Sequence, residues 1–181
     1  EDLAHVGEDG DDGVATLDER FTGSEPDGSP VPIGPGEEAA VLSRLAVRCD
    51  YTILIAPETD GILTARATLV ESAGGTSLGS TPTAIALTTD KHILSGHLRQ
   101  RGVRTARTEL LDAGSCLPRD FDYPAVVKPV DGAGCLETYL CESADDARFV
   151  TGFSRPMVIQ RCCRGRPMSE TFLVGTSGAP A

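Results

Sequence analysis

Apolar positions change rhythm along the chain, and each rhythm predicts an element. In EEAAVLSRLAV, Ala39, Leu42, Leu45 and Ala46 share one face at helical spacing. Residues 51–56, YTILIA, are an unbroken apolar run rich in β-branched groups, which predicts a short strand buried on both faces and stopped by Pro57. GILTARATLVESAGG returns to helical spacing through Ile62, Leu63, Leu69 and Val70 and closes on Gly74-Gly75. Strand, loop, helix and the following SLGS make one turn of an α/β layer.

The next helix is predicted from Thr81-Pro82 to Leu87. Another starts at Thr88 or Thr89 and runs through DKHILSGHLRQRG, with Ile93, Leu94 and Leu98 as its apolar face and Gly102 as its stop. VRTARTELL is extended, and DAGSCLPRDFDYP is a loop of turn formers. PAVVKPV is a strand with Lys128 near its end, DGAGC a glycine turn, and LETYLC a second strand. SADDARFV is a short helix capped by Ser143, with Asp146 three residues later. RPMVIQRCC is a strand, and SETFLV is another after the GRP turn. No internal repeat is present. The layout changes near residue 88, from a strand-helix layer to a small α+β unit.

Charge adds a third region. The net charge is -11, yet residues 1–38 hold twelve acidic side chains and one basic one, Arg20, while the remainder holds fifteen of each sign. The head, 1–38, is therefore expected to be an acidic, flexible segment with little worth burying. EDGDDG in it superficially resembles a calcium loop, but the late Glu and flanking helices of that pattern are absent. A near-neutral body with an acidic head has no Lys/Arg stripe for nucleic acid. No apolar run approaches the ~20 residues of a membrane span. No signal peptide is visible, so the cytoplasm is the expected location. Aromatics make up 4% of the chain and Trp is absent, which argues against stacking platforms and aromatic cages.

The six cysteines, Cys49, Cys116, Cys135, Cys141, Cys162 and Cys163, lack C-x-x-C spacing and a His cluster. They are read as free thiols in a reducing compartment rather than as zinc ligands. Cys135 lies in the glycine turn, but no neighbouring base marks it as a nucleophile.

The candidate chemistry centres on VVKPVDGAGC. A strand delivers Lys128, and the chain then turns through two glycines that expose backbone N–H groups. That combination can neutralise and cradle polyphosphate oxygens. Lys128 can equally be a surface charge, and this is not the P-loop pattern, because the lysine precedes the glycines. Asp90-Lys91 opens a helix, as a simple cap or as a second cation for the same phosphates. In VIQRCCRGRP, Gln160 either presents an adenine contact or satisfies a strand end. Glu58, Thr59 and Asp60 lie just past a strand end, where open α/β sheets bind ligands.

These segments, in this order, resemble the ATP-grasp family. DKHILSGHLRQRGVRTART is similar to its DK-helix segment, YPAVVKPVDGAGC to its lysine strand and glycine loop, and MVIQRCCRGRPMSETFLVG to its hinge strand and the strand after it. The resemblance spans about residues 88–175. IAPETDGIL and GGTSLGS resemble the Rossmann-like domain preceding ATP-grasp modules, especially in tyramine–glutamate ligases and their relatives in methanofuran-type cofactor synthesis. The implied fold is α/β, a partial ATP-grasp domain (88–181) preceded by a partial Rossmann-like domain (39–87).

The resemblance implies roles. Lys91 and Lys128 contact the nucleotide phosphates, with Lys128 the catalytic cation. Asp131, Gly132, Ala133 and Gly134 form the loop over them, with Cys135 at its edge. Gln160, Arg161 and the backbone of Cys162 line the adenine hinge, and Glu170 faces the nucleotide or its ribose. Glu58 and Asp60 are expected to meet a substrate, with Arg66 as an alternative carboxylate anchor. The implied activity is an ADP-forming carboxylate–amine ligase acting through an acyl phosphate, with ATP and Mg2+ as cofactors and a small carboxylate and amine as substrates. The alternatives are a ligase of other amino-acid or peptide specificity and a non-catalytic nucleotide-binding domain. Such a ligase allows a homodimer. The family holds magnesium with acidic residues and an Asn on later strands, and TSGAPA ends the sequence before them. The metal ligands are therefore expected beyond Ala181, and the chain is read as a fragment, unable to turn over alone.

Overall fold

A computed structural model describes residue 31 and residues 33–146, 152–166, 168–170 and 174. Four helices come first: α1 (Glu38–Ala46), α2 (Ile62–Ser72), α3 (Pro82–Thr89) and α4 (Lys91–Gln100). Four strands follow: β1 (Thr108–Leu111), β2 (Ala125–Pro129), β3 (Tyr139–Cys141) and β4 (Met157–Arg161).

The helix ends follow from local chemistry. Pro82 occupies the first turn of α3, and the Thr81 hydroxyl accepts from the Ala84 N–H at 3.3 Å. Asp90 sits extended between α3 and α4. Its carboxylate accepts from the His92 and Ile93 N–H groups at 2.9 and 2.8 Å, so one residue ends α3 and caps α4. Helix α3 thus runs two residues past the expected Leu87. Gly102, at φ +72°, stops α4: its N–H bonds the Arg99 carbonyl while Val103 N–H bonds Leu98 O.

The strands form one antiparallel sheet in the order β1-β4-β2-β3. One face is the core. Ala125 and Val127 from β2, Met157 and Ile159 from β4, Leu111 and Cys141 are buried there with Leu117 and Phe121. The 112–124 connection is therefore a lid over the back of the sheet. Tyr123 packs edge-on to Phe121 with centroids 6.4 Å apart and donates its hydroxyl to Pro118 O at 2.9 Å. Arg107 lies over the Phe121 ring at 4.7 Å.

Residues 51–56 do not form the expected strand buried on both faces. Their strand-like contact is a parallel bridge, Thr52 to Ser77, made by Thr52 N–H to Thr76 O and Leu78 N–H to Thr52 O. Alternate side chains are open: Ile53 is 70% and Ile55 91% exposed. A strand is buried on both faces only where layers cover both, and among the described residues nothing covers this side. The second strand is also shorter than LETYLC. Cys135 and Glu137 adopt left-handed backbone, φ +60° and +47°, which delays β3 to Tyr139. Ser143 and Asp146 form the expected cap, Asp146 N–H to Ser143 Oγ and Ser143 N–H to Asp146 Oδ2, and residues 147–150 of the SADDARFV segment lie outside the described residues. Residues 171–173 of SETFLV also lie outside them.

Candidate functional site

Pairing register decides which side chains join Lys128. On β2, Val126 and Lys128 face away from the core, since Ala125, Val127 and Pro129 are the buried alternates. Val126 lies opposite Leu140 on β3 and Gln160 on β4, and Gln160 opposite Thr108 on β1. Leu140, Val126, Gln160 and Thr108 thus form a strip across the outer face. Lys128, Val158 and Leu110 form the strip beside it. An apolar wall next to a lysine suits a flat ring joined to an anionic chain. Val126 and Leu140 are not among the residues expected from sequence. The period of two would have found Val126, two residues before Lys128, but Leu140 needs the cross-strand register.

Lys91 reaches the same place from α4. Its backbone N–H bonds Val130 O at 3.0 Å, and its ammonium donates to Val130 O at 3.3 Å and Gly132 O at 2.9 Å. The helix start is thereby tied to the first half of the glycine loop. Burial holds the Lys91 pKa below the usual lysine value. The charge of Lys128 pushes the same way, and the Asp131 and Glu58 carboxylates oppose it. Burial also lowers Lys128, with Cys135 opposing. Two partly desolvated cations at the foot of one glycine loop form a local positive site.

The loop takes its shape from Gly132 and Gly134, at φ +80° and +76°. Asp131 accepts the Asp60 N–H through Oδ2 at 3.0 Å. A Cβ on Gly132 would lie 3.1 Å from Thr59 Oγ1. The 58–60 turn is therefore seated against the glycine loop. Asp60 itself is left-handed, φ 55°, and Gly61 after it enters α2 at φ +70°. Between this turn, α3 and the loop lies a cleft of about 590 Å³ whose lining includes Asp60, Thr64, Thr89, Asp90, Asp131 and Arg155.

The remaining predicted residues divide. Gln160 is half-buried and donates Nε2 to Thr108 Oγ1 at 2.8 Å, so its amide spans two strands. Cys162 gives its N–H to Pro124 O at 2.8 Å, which continues the sheet instead of leaving that donor for an adenine edge. Arg161 is exposed, its N–H bonded to Arg107 O. Ala133 and Cys135 are exposed on the loop, and Glu170 is exposed outside any strand or helix. Arg66 forms an ion pair with Glu38, which joins α1 to α2 and removes it from the role of carboxylate anchor. Arg155, which no sequence motif singles out, pairs with the loop at both ends. Among the described residues, no group of three or more His, Cys, Asp or Glu side chains is arranged to hold a metal ion. No helix among them is long and apolar enough to cross a membrane.

Comparison with known proteins bears on the fold. Residues 13–85 match the family described as the pre ATP-grasp 3 domain. No curated protein sequence matches the chain. D-alanine–D-alanine ligase from Bacillus anthracis is 26% identical, with TM-score 0.56 over 75% of this chain and 46% of the ligase. The structure of that ligase complexed with ATP gives 22% identity and TM-score 0.58 over 78% and 48%. N5-carboxyaminoimidazole ribonucleotide synthetase from Thermotoga maritima gives 14% and 0.52 over 69% and 32%. The chain spans less than half the length of these enzymes. Its fold is α/β, part of an ATP-grasp fold preceded by part of a Rossmann-like domain of the pre-ATP-grasp type.

Proposed function

We propose that this chain is the phosphate- and adenine-facing portion of an ADP-forming carboxylate–amine ligase. The observation that carries it is the convergence of Lys91 and Lys128, from a helix and a strand, on one glycine loop beside an apolar strip. A polyanion there replaces lost water around two cations, and the left-handed glycines let backbone N–H groups approach it. In the whole enzyme, a substrate carboxylate oxygen attacks the γ-phosphorus, ADP leaves, and an acyl phosphate forms. An amine then adds to the acyl carbon, phosphate departs with the carbonyl bond restored, and the amine loses a proton. Lys91 and Lys128 hold the transferring charge in register, and the loop excludes water from the acyl phosphate. The family chemistry uses Mg2+, whose ligands are not among the described residues.

The resemblance of IAPETDGIL and GGTSLGS to tyramine–glutamate ligases supports glutamate as the carboxylate and an aryl amine as the acceptor. Likeness to D-alanine–D-alanine ligase favours the second reading, another amino-acid or peptide specificity. On either, Glu58 and Asp60 face the substrate from the turn bonded to Asp131.

The test is calorimetric titration of this chain with ATP, with and without magnesium, repeated on Lys128→Ala. Saturable binding that weakens at least tenfold in the variant supports the reading, since a charge-assisted phosphate contact is worth about 1.5 kcal/mol or more. Equal binding by both proteins removes it.

A further inference from the structure

We infer that Arg155 is a positioning residue that clasps the two ends of the glycine loop, and that this clasp sets how tightly a nucleoside triphosphate is held. The inference deepens the proposed function and rests on that reading. Arg155 precedes β4, well away in sequence from the loop it touches. Its Nε donates to Glu137 Oε2 at 2.9 Å, and its Nη1 lies 3.9 Å from Asp131 Oδ1. Asp131 opens the loop and Glu137 closes it. Between them Gly132, Gly134 and Cys135 are left-handed, as is Glu137 itself. Left-handed backbone at Cys135 and Glu137 is unfavourable for residues with a Cβ, so the loop needs outside contacts to keep this shape.

The supports are few and directional. Lys91 holds Gly132 O from one side. Asp60 N–H holds Asp131 Oδ2 from another. Both of these act on the first half of the loop, whereas Arg155 pairs with its two ends together. The chain beside Arg155 is itself anchored, because Pro156 O accepts the Val130 N–H at 3.2 Å. A guanidinium fork suits this bridge, since one nitrogen donates to Glu137 while another stands at ion-pair distance from Asp131, where an ammonium offers a single point charge. A loop already closed when the triphosphate arrives loses less entropy on binding.

Charge alone makes the opposite prediction at Glu137. It is a negative group beside a polyanion site, so its removal on electrostatic grounds should leave ATP binding unchanged or tighten it. If Glu137 holds the loop through Arg155, its removal should weaken binding. The experiment is ATP calorimetry on the full chain with Glu137→Gln, Arg155→Lys, the double variant and Lys128→Ala, with thermal midpoints and amide exchange over residues 132–137. The expected result is ATP binding weakened roughly three- to fivefold by each clasp variant, as suits a partly exposed ion pair. The double variant should be weaker by less than the product of the two, because both remove one contact. Loop amides should exchange faster in all three, with thermal midpoints nearly unmoved. Glu137→Gln that binds ATP as well as or better than the parent, while Lys128→Ala is weakened, overturns the clasp and leaves the nucleotide site standing. Lys128→Ala that binds as well as the parent overturns the nucleotide site and the clasp with it.

Discussion

The Lys91 ammonium donates to the carbonyl of Gly132 at 2.9 Å, across 41 residues of sequence. A cation proposed for the nucleotide site is here also a structural tie. Helix α4 and the strand-loop unit are joined at this point, and the Lys91 backbone bond to Val130 O adds a second link.

Lys91→Met keeps the stem and removes the ammonium. Two carbonyls lose a donor, while the cost of partly burying a charge is relieved. The net expectation is a stability loss of about 1 kcal/mol, discounted for exposure to solvent. Urea denaturation should show a lower midpoint at unchanged slope. ATP affinity should fall by about tenfold, because one charge-assisted contact of about 1.5 kcal/mol is gone. A variant that loses stability but binds ATP normally would restrict Lys91 to the structural tie.

Both lysines are held below 10.5, chiefly by burial. Below its lowered pKa each carries a charge that folding partly desolvates, and this cost disappears once the proton is lost. Between the lowered value and 10.5 the unfolded chain binds more protons than the folded one, so their contribution to stability rises with pH through that window. ATP affinity should move the other way, declining from neutral pH toward 10.5 as the cations neutralise. Bound phosphates favour the charged forms, so binding in that window should take up protons. Calorimetry in buffers of different ionisation enthalpy measures the uptake. The Lys91→Met/Lys128→Met double variant should lose both the slope and the uptake, which ties them to these two lysines.

Local signals were legible where a single residue imposes a conformation. Thr81-Pro82 announces α3, Asp90 caps α4, and Gly102 ends it, each through contacts within four residues. The glycine loop was legible for the same reason, as a lysine strand running into glycines. Residues 51–56 were not, because an apolar run does not say whether a second layer covers it. Arg155 was invisible because its meaning lies in partners 18 and 24 residues away. Gln160 stands out in the sequence, but its amide points across the sheet to Thr108, a direction that depends on register.

Gln160→Leu separates these uses. The Thr108 hydroxyl is buried and keeps its own bond to Ala106 O at 3.0 Å, so the substitution removes one hydrogen bond without stranding the donor. The expected cost is about 1 kcal/mol. A cycle with Thr108→Val should recover most of it as pairwise coupling. Because the amide is committed to Thr108, ATP affinity should change less than about threefold, under the ~1 kcal/mol of one hydrogen bond. A larger loss of affinity with no loss of stability would mean that the amide turns to the ligand instead.

Adjacent glycines after α2 give a test of the leading layer. An added Cβ at Gly75 would stand 2.7 Å from Ala46 O and 2.8 Å from Ala46 Cβ, whereas one at Gly74 meets nothing within 4 Å but must adopt φ +86°. Ala46 is 1% exposed at the end of α1, and Gly75 is fixed by its N–H bond to Val70 O at 2.9 Å. Neither backbone can yield without parting α1 from α2. Gly75→Ala should therefore cost about 2–3 kcal/mol by overpacking. Gly74→Ala should cost about 1–2 kcal/mol from its left-handed backbone alone. Urea midpoints of the two variants decide the order. If Gly75→Ala proves the milder, the close approach of α1 to the end of α2 is wrong.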